Sequence, residues 1–135
     1  MWPFTPRTNN RPQPSIRFDG LIANWNAEFN QWEFSHDGVD YSLADNPVFD
    51  SAIPSRLVKI AEWLHKLDSD IDEILKQHLE HWATWNRKKE IVTIDVSHLV
   101  DRDEVDVAFA SDEWADLGIN VIIQSGKIIG SYAGD

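Results

Sequence analysis

Apolar positions along the chain follow two periods. From Pro54 to Asn86 they recur in steps of three and four, at Leu57, Ile60, Ala61, Leu64, Leu67, Ile71, Ile74, Leu75, Leu79, Trp82 and Trp85. Charged side chains fill the opposite side, so this stretch predicts an amphipathic helix. On either side the period falls to two. Strands are predicted at Phe18 to Trp25, Phe29 to His36 and Val39 to Leu43 before the helix. After it they are predicted at Ile91 to Val96, Val105 to Ala110, Asn120 to Gln124 and Lys127 to Tyr132. Asp37-Gly38 and Ser125-Gly126 supply hairpin turns, which need positive φ. The expected fold is α+β: an antiparallel sheet of about six or seven strands with a split central helix packed on one face.

The split follows from length. A single rod over this stretch measures about 48 Å, whereas a compact chain of this size is about 35–40 Å across. A break at Leu67-Asp68-Ser69-Asp70 resolves the conflict, with Ser69 as N-cap and Asp72 three residues on. Two helices are expected, over about 54–67 and 70–86. Met1 to Ser15 holds four of the six prolines and neither period, so residues 1–15 read as a flexible Pro-rich arm and 16–135 as one domain. The arm lacks the apolar centre of a signal peptide.

Charge narrows the partners. The chain carries 23 acidic against 12 basic side chains, a formal net charge of −11. Such a field repels phosphate backbones and favours a basic protein. No apolar run is long enough for a membrane-spanning helix. Cysteine is absent, which removes disulfides and thiolate chemistry and fits the reducing cytoplasm. Oligomeric state is open at this stage.

Candidate chemistry thins out under inspection. Asp68-Ser69-Asp70-Ile71-Asp72 opens like a calcium loop, but Glu73 and Leu79 stand where that loop needs Gly and Glu. His78 and His81 are three apart, not the four of the helical zinc motif, and His36, His65 and His98 have no spacing that joins them. No Gly-x-Ser-x-Gly elbow and no phosphate-cradling glycine loop appears. The sequence therefore offers no catalytic residues, no metal site and no cofactor.

Two aromatic sites compete for a binding role. Ser111 to Gly118 sets Trp114 among Asp112, Glu113 and Asp116, and an aromatic ringed by acids suits a basic surface. On the opposing reading Trp114 folds back to cap the core. Asp101, Asp103, Glu104 and Asp106 add steering charge or guard an edge strand. The second site is a stacking platform for a sugar or planar ligand, built from Trp25, Trp32 and Tyr41.

The C-terminal run DEWADLGINVIIQSGKIIGSYAGD resembles the ending of several families of small bacterial domains of unknown function. The matching positions are Trp114, Gly118, Val121-Ile122-Ile123, Gly126, Ile128-Ile129 and Asp135. Some members look like immunity proteins, which neutralise a toxin by binding it. That resemblance implies a binding role and transfers no catalytic residue. The leading expectation is a non-enzymatic acidic protein-binding domain, with an immunity-type inhibitor of a basic toxin as one form of it. Its interface is Asp112, Glu113, Trp114 and Asp116, with Asp101, Asp103, Glu104 and Asp106. The alternatives are a ligand or carbohydrate binder or enzyme with a Trp-lined cleft, and a self-associating structural subunit.

Overall fold

The computed structural model describes residues 15–18, 20–44, 50–79, 89–114 and 117–134. These residues form an α+β fold. Four strands come first: β1 (Ser15–Phe18), β2 (Leu21–Asn26), β3 (Gln31–His36) and β4 (Val39–Ala44). A 3-10 turn at Pro54–Arg56 leads into α1 (Leu57–Lys66) and α2 (Asp68–Leu79). Then come β5 (Glu90–Asp95), the short α3 (Leu99–Arg102), β6 (Glu104–Ala110), β7 (Gly118–Gln124) and β8 (Lys127–Gly134).

The eight strands make one sheet in sequence order. This exceeds the expected six or seven because Phe18 to Trp25 is not one strand. Gly20, at φ 82°, turns the chain and separates β1 from β2. β1 begins at Ser15, inside the expected arm, and residues 1–14 lie outside the described residues. The sheet is also not wholly antiparallel: β4 and β5 pair in parallel through Tyr41–Ile94 and Ser42–Asp95. A parallel pair needs a long crossover, and the helical segment supplies it. Val96 N–H to Ser42 O (2.8 Å) and Ala44 N–H to Ser97 Oγ (2.8 Å) extend that junction.

The helical stretch breaks at Leu67, close to the expected join. Residues 80–86 of the expected second helix lie outside the described residues. Ser69 stands inside α2 rather than before it. Asp72 does not close a capping box. It is 5 % exposed, and with Asp68 it holds the Lys89 ammonium, at 2.8 and 2.7 Å. That clasp ties the start of α2 to the start of β5.

One core joins both layers. Leu57, Ile60, Ile71, Leu75 and Leu79 from the helices cluster with alternate residues of β2 to β7, among them Leu21, Phe34, Ile94, Val107 and Val121. Trp63 packs at its margin, against the β7–β8 turn, where Ser125 and Gly126 both have positive φ. A Cβ on Gly126 would lie 3.1 Å from Trp63 Nε1, so glycine serves both the turn and this approach. Trp82 and Trp85 lie outside the described residues.

The clasp yields a prediction. Burial pushes the Lys89 pKa down, but hydrogen bonds and charge from Asp68 and Asp72 outweigh burial, and the net shift is upward. A raised folded pKa gives stability that is whole below the ordinary lysine range and fades as pH rises through the folded value. Lys89→Met is expected to cost about 2 kcal/mol at neutral pH, below the figure for a fully buried pair because Asp68 is half exposed. Denaturation midpoints against pH check this: the gap between wild type and variant closes above about pH 10.5.

Candidate binding face

Strand alternation sends one set of side chains to the core and the other to the opposite face. The outward set is mostly polar. Register places Asn24, Glu33, Ser42, Asp95 and Asp106 in one row across β2 to β6. Strands lie about 4.8 Å apart, so the carboxylates Glu33, Asp95 and Asp106 spread over about 14 Å. Asp95 and Asp106 are direct partners on neighbouring strands, a like-charge juxtaposition that costs stability.

Hydrogen bonds orient this row. Glu33 Oε2 accepts from Gln31 Nε2 (2.7 Å) and Asn26 Nδ2 (3.2 Å). Ser35 donates its hydroxyl to Asp40 Oδ1. Asp95 Oδ1 accepts the Ser97 N–H and hydroxyl. Asp106 accepts from Asn120 Nδ2 (2.8 Å) and from the Tyr132 hydroxyl (2.6 Å). The last bond, then burial, then the charges of Asp106 and Asp95 push the Tyr132 pKa up to about 12. Tyr41 is also raised, by burial and then by Asp37.

Both tyrosines of the chain therefore titrate late. Phenolate absorbance is expected to stay flat through the ordinary range near pH 10 and to rise above it. Both shifts are upward, so each phenol contributes stability below that range that is lost at higher pH. Asp106→Asn should lower the Tyr132 midpoint and leave that of Tyr41 in place.

Over β2 to β5 the outward face forms a trough of about 780 Å³. Asn24, Gln31, Glu33, Asp40, Ser42 and Thr93 supply hydrogen-bonding groups along it. Ile22 and Val92, both exposed, add apolar surface. The arrangement suits a partner that brings cations and several donors: Glu33 and Asp40 each take their bonds on one oxygen, leaving the other as an acceptor.

The interface expected from the sequence is only partly assembled. Trp114 is 1 % exposed and belongs to the core, so the reading in which it caps the core replaces the exposed anchor. The cause is local: Asp112–Trp114 forms a 3-10 turn that swings the indole inward and leaves Asp112 and Glu113 exposed. Asp116 lies outside the described residues. Along β6 the end next to Asp112-Glu113 lies about 13 Å from Asp106 and about 20 Å from Glu104, so these are two patches, not one. Asp101 is exposed on α3, and Asp103 pairs with Lys59 at 2.8 Å. Glu104 and Asp106 share the outward face with Glu33 and Asp95.

The platform of Trp25, Trp32 and Tyr41 is also corrected. All three face inward, and they fall into two separate ring pairs. Trp32 is 3 % and Tyr41 5 % exposed, and half-buried Trp25 meets Trp32 edge to face at 5.5 Å. Tyr41 stacks on Phe34 at 5.1 Å. The pleat explains this: the run's polar residues fall on the other phase. That alternation in QWEFSH and VDYSLA is the signal that could have placed Glu33 and Asp40 on the outward face.

No group of three or more histidines and carboxylates placed to hold a metal occurs among the described residues. Within them, no helix is long and apolar enough to cross a membrane. The chain matches no family model, no curated protein and no solved structure.

Proposed function

We propose that this protein is a non-enzymatic, acidic protein-binding domain that docks a basic protein on the outward face of its sheet. In this reading the described helices serve the inward face, and the outward one receives the partner. The observation that carries this reading is the carboxylate row Glu33, Asp95, Asp106 beside a 780 Å³ trough of hydrogen-bonding side chains. A basic surface relieves the repulsion between Asp95 and Asp106 and finds acceptors on Glu33 and Asp40. The net charge of −11 steers such a partner from a distance.

Inhibition of a basic toxin is the specific form we favour. The resemblance of the Trp114 to Asp135 run to small bacterial domains, some immunity-like, supports it. Cytoplasmic residence fits the same role. The test is capture of partners by the tagged protein from its native cell at low and high salt. A single stoichiometric basic protein, released by salt, is the expected result. A partner of neutral or acidic charge would contradict the proposal.

A further inference from the structure

We propose that β8 is a self-pairing edge, through which two copies of the chain join their sheets into one continuous sheet. Among the described residues β8 ends the sheet and pairs only with β7, so its other side presents, within them, a row of edge backbone donors and acceptors over eight residues. Six of those residues are exposed: Lys127, Ile129, Ser131, Tyr132, Ala133 and Gly134. Ser131 and Ala133 are exposed although they face inward, where the β7 partners Val121 and Ile119 are fully buried. The fully buried core therefore ends at β7: Ile128 still packs against it and His78 of α2 meets Ser131 at 3.0 Å, while the rest of β8 extends past it.

The two edges of the sheet differ in protection. β1 has four residues, includes exposed Arg17 and follows Pro14 in sequence, all features that discourage edge pairing. β8 has no proline, and its single charge is Lys127 at its start. Its guard is a bulge near Ile129, which is 54 % exposed. Tyr132, 46 % exposed, adds a second apolar surface.

Charge selects a second copy as the occupant. With a net charge of −11, two copies repel each other across acidic surfaces. β8 carries no acidic residue, so pairing there sets no carboxylate of one strand directly against one of the other, which keeps the repulsion lowest at this edge. A basic partner is drawn instead to the carboxylate row on the outward face. Pairing at the edge leaves that face open in both copies.

Sedimentation velocity across a concentration series, from low micromolar to millimolar, tests the proposal. Wild type is expected to pass from monomer to dimer. Ile129→Lys with Ala133→Lys should remain monomeric with an unchanged denaturation midpoint, since both positions are exposed. Val58→Lys, at an exposed apolar residue of α1, should leave the dimer intact. A wild type that stays monomeric throughout overturns the proposal. So does a dimer that survives the β8 variant or is lost in the α1 variant.

Discussion

Trp114→Ala is expected to lower the free energy of unfolding by about 4 kcal/mol, seen as a large fall in denaturant midpoint with an unchanged slope. Trp114 is the largest fully buried side chain among the described residues. Truncating it removes the whole indole from a core where it packs with Phe109 and Ile119 in one cluster. The same substitution at an exposed indole would cost within about 0.5 kcal/mol. The measurement thus separates the core position from the exposed anchor that its acidic neighbours suggest. A loss of stability below about 1 kcal/mol would return Trp114 to the surface. Partner binding by the folded variant is expected to persist, because the indole offers nothing to a docking protein.

Neutralising the outward face is expected to do the reverse. Glu33→Gln with Asp40→Asn should slow association with a basic partner by about tenfold or more and flatten its dependence on salt. Stability should barely move. Gln keeps an oxygen for the Gln31 and Asn26 amides, and Asn keeps one for the Ser35 hydroxyl. Surface charge acts on encounter rate more than on dissociation, so the on-rate is the quantity to follow. Asp112→Asn with Glu113→Gln is the matched control. It removes the same charge at the far end of β6, and a weaker effect there assigns the steering to the row rather than to net charge.

The two periods made most of the fold readable. A step of three and four marked the helical segment, and a step of two marked seven of the strands. Conflict between rod length and globule size located the break near Leu67. β1 escaped because its four residues follow prolines, and because Phe18 to Trp25 reads as a single apolar run across Gly20. The parallel pair of β4 and β5 is a matter of strand order, which alternation does not encode.

The site was less readable for a physical reason. Acidic residues clustered in sequence, such as Asp101 to Asp106, sit on a turn and one strand end and diverge in space. The carboxylates that form a row come from three strands, with Glu33 and Asp95 separated by the whole helical crossover. Only register brings them side by side. Trp32 and Tyr41 looked available because their neighbours are polar. The pleat sends those neighbours out and the rings in. Lys89 bridges Asp68 and Asp72 from another element, a pairing that spacing along the chain does not signal.

Parallel capture from the native cell, with wild type and the Glu33→Gln, Asp40→Asn variant as baits at low and high salt, tests the outward face most directly. One basic protein should be held stoichiometrically by wild type at low salt, released at high salt and largely missing from the variant. The same protein retained equally by both baits, or held undiminished at high salt, would contradict docking on this face.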